Sequence, residues 1–268
     1  MSKRIHFIGG GQMVEAIIRP LLKSQKFQPN QITVADIQET RNQYLETTYQ
    51  ISAQKTQEQS LETADLIVIG VRPQDDLPTV IASLKKSRPG VTILSIVAGV
   101  TIEQIEQSLG EPRAIVRVIP NTLTDTGLGY SGVALNALAK KRDVDFFLTG
   151  FGKVMYVEEK LIDIFTGFGV AGPNYVYYFI ESYADAGVLA GLSREQARAI
   201  ALENTIGAVA MLQQTGKHPR ELLDINNSAG GVGIHALFEL NQSDFAAGLQ
   251  RSVLRAVKRT TELGQESK

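Results

Sequence analysis

The chain has 268 residues, 43% hydrophobic and 21% charged, with a formal net charge of -1 and no cysteine. That length supports one large or two modest cores, and the near-neutral balance argues against nucleic acid or an anionic membrane as partner. Disulfides and thiolate ligands are excluded, and with no apolar run near the roughly 18–20 residues of a membrane span and no signal-peptide core at the start, a cytoplasmic protein is expected.

The first segment, RIHFIGGGQMVEAIIRPLL, reads as strand, glycine turn and helix: apolar residues to Ile8, then Gly9, Gly10 and Gly11, then Met13, Ile17, Ile18, Leu21 and Leu22 at helical spacing. Gly9 permits the tight turn. Gly11 lets backbone approach a pyrophosphate at a helix N-terminus, where unpaired N–H groups of residues such as Gln12 and Met13 favour negative charge. The third small position of this dinucleotide fingerprint is Val14, which predicts a helix standing slightly off its sheet, and Pro20 is expected to bend or shorten that helix. The next strand, QITVAD, ends in Asp36. A carboxylate there accepts from ribose hydroxyls and repels a 2′-phosphate, so NADH is favoured over NADPH, with Arg41 one turn on as a possible phosphate partner. The plainer reading of Asp36 is a cap for the following helix.

Three further apolar runs follow, in ADLIVIGVRP, VTILSIVAGV and RAIVRVIPN, with helical segments over 76–87 and 101–108 between them. This alternation predicts a mostly parallel, doubly wound sheet over residues 1–157, its strand ends facing one crevice. The loops after those strands carry Val71, Arg72 and Pro73, then Ala98 and Gly99, then Pro120 and Asn121, all expected on the nicotinamide half of a cofactor.

From about residue 158 the pattern turns helical to the end at 268. Pro173 opens one helix, with Val176, Phe179, Ile180 and Tyr183 as its apolar stripe; Ser193 and Gln196 form a capping box before a second, which ends at Gly216. A third long helix lies in SDFAAGLQRSVLRAVKRTTEL. About 110 residues of amphipathic helix with little sheet to lean on predict a domain that completes its core with another copy of the chain. Between the helices, INNSAGGVGIHAL holds a second glycine loop; lacking a phosphate-binding lysine, it reads as a backbone cradle for a small carboxylate. Three scattered histidines and no cysteine make no metal site.

The motifs FIGGGQMVEAI, VRPQ, SIVAGVT, PNTL, GVAGPNY, ADAGV, HPRELLD and SAGGVGIHAL, in this order, resemble those of the pyrroline-5-carboxylate reductase family over nearly the whole length. The resemblance implies a Rossmann domain, a helical dimerisation domain, a dimer or a larger ring of dimers, and NAD(P)H-dependent reduction of 1-pyrroline-5-carboxylate to proline. Its substrate cradle would fall on Asn174, Tyr175, Ser228, Gly230, Gly231, Val232 and Gly233. Departures gather on that side: the family's SGSG is GVAG here (169–172), and its last loop threonine, which hydrogen-bonds the imine nitrogen, is Gly233. These leave open a different cyclic imine, or a non-catalytic NAD(P)-binding relative. A related architecture, that of the β-hydroxyacid dehydrogenases, uses an interdomain lysine to handle an alcohol proton; from Phe168 to Leu192 this chain has none.

Overall fold

A computed structural model describes residues 3–266 other than 56, 57 and 73. The apolar runs become short strands: β1 (Ile5–Ile8), β2 (Ile32–Ala35), β3 (Ser52–Gln54), β4 (Leu66–Ile69), β5 (Thr92–Ser95) and β6 (Ile115–Ile119). Two more, β7 (Gly129–Leu135) and β8 (Gly152–Tyr156), complete one sheet in the order β3-β2-β1-β4-β5-β6-β7-β8. Pairing is parallel except between β6 and β7, where Ile119 lies opposite Gly132. Strand β1 is flanked by β2 and β4, with Ile5 in register with both Ile32 and Leu66. The order therefore reverses beside β1, and in open sheets of this kind the crevice at such a switch point is where ligands bind.

Both faces of the sheet are covered, which is why these strands are continuous apolar runs. Alternate residues of β4 serve opposite cores: Leu66 and Val68 join Phe7, Val34, Ile17 and Phe147 on one face, while Ile67 and Ile69 join Ile8, Ile81, Ile93 and Ile105 on the other. The covering helices are α1 (Gln12–Lys23), α2 (Glu39–Tyr49), α3 (Glu58–Thr63), α4 (Leu77–Ser83), α5 (Ile102–Leu109), α6 (Asp145–Leu148) and α7 (Ile162–Phe165). Helix α1 runs through Pro20 to Lys23, so proline does not shorten it. Nor does Val14 hold it off the sheet. Val14 is fully buried, and a Cβ on Gly70, just after β4, would lie 2.3 Å from its Cγ2. The small residue that the fingerprint places on the helix sits instead on the neighbouring strand end, and the packing closes.

The remaining helices are α8 (Gly172–Leu189), α9 (Arg194–Thr215), α10 (Pro219–Asn226), α11 (Val232–Gln242) and α12 (Phe245–Glu266). Their ends follow the sequence signals. Pro173 lies in the first turn of α8, Ser193 and Gln196 form the reciprocal cap of α9, and Gly216 closes it at φ +62°. His218 caps α10, accepting from the Arg220 N–H while Glu221 accepts from the His218 N–H. The chain divides into two compact units, Met1–Ala171 with Ala256–Lys268, and Gly172–Arg255. The division falls later than residue 157 because the segment after β8 still belongs with the sheet: Ile162 is fully buried in the second core, with Phe165 and Val170 against it. The end of α12 lies so close to Gly167 that a Cβ there would meet Val257 at 2.5 Å. In the Gly172–Arg255 unit, by contrast, the buried apolar cluster is Ala184, Ala197 and Ala201 with Ile180 and Val188 against it. Val176, Phe179 and Tyr183 of the α8 stripe, with Ile206 of α9 and Phe238 of α11, are exposed on the single chain.

Candidate functional site

At the switch point beside β1 lies a cleft of about 520 Å³. Of the predicted cofactor residues, Gly9, Gly11, Gln12, Asp36, Val71 and Arg72 line it, together with Ile37, Arg41 and Lys55. Each glycine of the turn meets a different demand. Gly9 has φ +94°, and a Cβ on it would lie 2.9 Å from the Gly70 backbone, so β1 and β4 strand ends close on each other there. Gly10 faces inward, its Cβ direction filled by Leu45 at 2.8 Å. Gly11 is exposed, with nothing within 4 Å of where a Cβ would sit. That open face at the start of α1, whose first N–H groups lack intrahelical acceptors, is a fit for a pyrophosphate.

The Asp36 carboxylate accepts from the Gly10 N–H at 2.7 Å and from the Gln38 N–H at 2.8 Å. It therefore ties the glycine turn to the loop after β2, and it is not the α2 N-cap, a position held by Gln38. With the Gly10 N–H taken, the amides at the start of α1 that lack intrahelical acceptors begin with those of Gly11 and Gln12. Met13 is half-buried against the first core. Arg72 is exposed and paired with Asp75, its Nη2 2.9 Å from Oδ1. Pro73 lies outside the described residues. Ala98 and Gly99 form the turn after β5, Gly99 at φ +78°, and they and Pro120 and Asn121 after β6 are not among the cleft's lining residues. Asn121 is buried and donates from Nδ2 to the Gly169 carbonyl at 3.1 Å, joining the loop after β6 to the start of the GVAG segment.

Beneath the turn is a charged cluster that sequence reasoning missed. Glu15 of α1 is buried and accepts from Arg19 (2.9 Å), Arg41 (2.5 Å), Tyr44 (2.9 Å) and Tyr49 (2.7 Å). Burial alone would raise its carboxyl, but hydrogen bonds from Tyr49, Arg41 and Tyr44 and the Arg41 charge outweigh that and pull it down to about 2. Burial and the bond to Glu15 push the Tyr49 phenol up to about 12. In the sequence, a glutamate in a helix's first turn reads as a solvated dipole partner.

In the helical unit, Asn174 and Tyr175 occupy the first turn of α8, Asn174 exposed and Tyr175 half-buried. Burial raises the Tyr175 phenol above its usual range. The second glycine loop lies between α10 and α11. Gly230 has φ +66°, and the Gly231 N–H donates to the Ser228 carbonyl at 3.0 Å. A Cβ on Gly231 would meet Ser228 Oγ at 2.4 Å, so the serine side chain folds over the turn. Val232 and Gly233 begin α11, with Gly231 as a backbone-only cap. The space beside Gly233 is filled: Asn227 Oδ1 lies 2.4 Å from where a Cβ would be, while its Nδ2 donates to the Leu223 carbonyl. A polar group thus stands where a side chain at position 233 would begin, brought by a residue six positions earlier. His235 is exposed, and among the described residues no cluster of three metal-ligating side chains occurs.

Two family models match. Residues 159–263 match pyrroline-5-carboxylate reductase dimerisation, and residues 4–99 match NADP oxidoreductase coenzyme F420-dependent. A pyrroline-5-carboxylate reductase from Synechocystis sp. is 33% identical, covering 99% of this chain and 100% of its own length. The chain belongs to the pyrroline-5-carboxylate reductase family. One from Arabidopsis thaliana is also 33% identical, over 98% of this chain and 96% of its own. A Plasmodium falciparum pyrroline carboxylate reductase, solved with NADP bound, superposes with a TM-score of 0.85 at 27% identity, over 98% of each chain. Membership agrees with the resemblance drawn from the eight motifs, and with a sheet-bearing unit followed by helices. No described helix is long and apolar enough to cross a membrane.

Proposed function

We propose that this chain reduces 1-pyrroline-5-carboxylate to proline with NAD(P)H, as a cytoplasmic enzyme. The observation that carries the reading is the open Gly11 face on the switch-point cleft, in a chain related over its whole length to reductases of that name. The dinucleotide supplies a hydride for the imine carbon. The residues assigned to it are Gly9, Gly11, Gln12, Asp36, Val71 and Arg72 in the cleft, with Ala98, Gly99, Pro120 and Asn121 toward the nicotinamide. The carboxylate of Asp36, at the end of β2, favours a free ribose hydroxyl over a 2′-phosphate, so NADH is the preferred donor.

The substrate carboxylate is assigned to the loop Ser228–Gly233, where unpaired amides at the start of α11 attract an anion. Asn174 and Tyr175 are assigned to the same pocket. Reduction leaves an amine, so the nitrogen must gain a proton before or as hydride reaches the carbon. A cyclic imine that enters as its iminium brings that proton with it, and loss of the threonine hydroxyl at position 233 then costs one positioned hydrogen bond, about 0.5–1.5 kcal/mol, rather than the reaction. The apolar side chains exposed on α8, α9 and α11 support a homodimer in which helices of two copies complete one core, and such dimers can assemble further into a ring.

Initial rates followed at 340 nm with each dinucleotide, on a panel of five- and six-membered cyclic imines, test the reading. Pyrroline-5-carboxylate is expected to be the best carboxylated imine. A better rate on another would reassign the substrate, and no turnover with any imine, alongside retained NADH binding, would favour a non-catalytic relative. Light scattering at micromolar concentration distinguishes monomer, dimer and ring.

A further inference from the structure

The most elaborate polar cluster in the sheet-bearing unit is the one around Glu15, and no step of the reduction uses it. We propose that Arg41 is a positioning residue for the cofactor: held by Glu15, it holds the Gly10 carbonyl of the glycine turn so that the Gly11 amide in the same peptide plane points at the pyrophosphate. The inference rests on the assignment of the cleft to the dinucleotide.

Arg41 Nε donates to the Gly10 carbonyl at 2.5 Å, and its Nη2 reaches the Gly11 carbonyl at 3.5 Å and Glu15 Oε2 at 2.5 Å. In a trans peptide the C=O and N–H point in opposite directions. The Gly10 carbonyl shares its peptide plane with the Gly11 N–H, and the Gly11 carbonyl shares its plane with the Gln12 N–H. Arg41 behind the Gly10 carbonyl therefore turns the Gly11 N–H outward, and the Glu15 N–H, from which the Gly11 carbonyl accepts at 3.0 Å, does the same for the Gln12 N–H. Those are the amides left over once Asp36 has taken the Gly10 N–H. Gly11, lacking a side chain with any neighbour within 4 Å, leaves their approach clear.

Glu15 makes this arrangement stable. An uncompensated guanidinium drawn out of water is costly, and a single carboxylate in direct contact offsets it. The Arg41 side chain is 17% exposed and that of Glu15 4%. The Tyr44 ring lies 5.0 Å from the guanidinium carbon, and its hydroxyl donates to the same glutamate. Arg19 takes the other glutamate oxygen and pairs in turn with Asp125. Two acids thus meet two bases, and Arg41 is not a spare cation. A planar guanidinium presents separate N–H donors at fixed spacing to the Gly10 carbonyl and the Glu15 carboxylate; a lysine ammonium does not.

This role differs in its signature from that of a 2′-phosphate contact, the function that position 41 suggests in sequence. A pyrophosphate is common to both dinucleotides, whereas a 2′-phosphate belongs to one. In Arg41→Lys, the dissociation constants of NADH and NADPH, read from cofactor fluorescence without any imine present, are expected to rise by the same factor, about tenfold for the loss of a charge-assisted hydrogen bond. Competition by adenosine, which carries no pyrophosphate, is expected to be unchanged. A rise confined to NADPH would overturn the proposal and make Arg41 a 2′-phosphate ligand. Unchanged affinity for both, or a loss of adenosine binding equal to that of the dinucleotides, would overturn it as well. Should Arg41→Lys not fold, Tyr44→Phe, which removes one donor from Glu15 and keeps the ring against the guanidinium, decides by the same criteria with a smaller shift. If the wild-type chain binds both dinucleotides and reduces no imine, the proposed reaction fails and the role of Arg41 stands.

Discussion

Replacing Glu15 by glutamine removes one charge from beneath the glycine turn and keeps the size of the side chain. The folded carboxyl titrates near 2, against 4.5 for a solvated glutamate. At about 1.36 kcal/mol per unit, that difference makes the ionised form worth about 3 kcal/mol of stability to the native state. The sign follows from the depression. The contribution is complete above pH 4.5, is lost as pH falls through that value, and is gone near pH 2. Glutamine does not titrate, so denaturant unfolding of both proteins at a series of pH values isolates the effect, other acidic groups cancelling in the difference. Wild type is expected to exceed Glu15→Gln by about 3 kcal/mol at neutral pH, the gap shrinking steadily in acid. A gap below about 1 kcal/mol at pH 7, within the range of exposed ion pairs, would refute a buried and paired carboxylate. So would a gap that does not change with pH.

Three other substitutions test neighbouring statements. Gly70→Ala puts a Cβ 2.3 Å from Val14 Cγ2 and is expected to cost about 1–3 kcal/mol by overpacking; adding Val14→Ala should recover part of that in thermal melts, and no recovery would separate the two residues. Asp36→Ser removes the carboxylate proposed to bind the ribose and should raise the kcat/KM ratio of NADPH to NADH; an unchanged ratio would leave Asp36 only its bonds to Gly10 and Gln38. Gly233→Thr must displace Asn227 and its bond to the Leu223 carbonyl, worth about 1 kcal/mol. Combined with Asn227→Ala it should give a higher kcat/KM on the imine than Gly233→Thr alone, and equal values would show that Asn227 does not compete for that space.

How far the sequence could be read depended on burial. Strands β1, β2, β4, β5 and β6 are buried on both faces, and runs rich in Ile, Val and Leu declared them. The missed strands lack that signal: β3 is Ser-Ala-Gln with only its alanine buried, β7 carries two glycines and a serine, and β8 alternates at the sheet's edge. Helix caps were legible because Ser193, Gln196 and Gly216 act on their immediate neighbours. The Glu15 cluster was not, because its members come from α1, α2 and the loop after β6, and only the folded chain joins them. Asn227 escaped for a related reason. A position-by-position comparison registers a glycine at 233 and has no means of seeing that the Asn227 side chain fills the space beside it.

The interlock of Val14 with Gly70 means that the first βα unit of this protein is not a portable part. Grafted into a relative that carries a side chain after β4, the segment from Arg4 to Lys23 would bring its valine against an occupied site, whereas the reverse graft would leave a void. Recombination between such homologues is therefore constrained across fifty-six residues of chain separation, and libraries that cross over between positions 14 and 70 should be depleted in folded members unless both ends come from one parent.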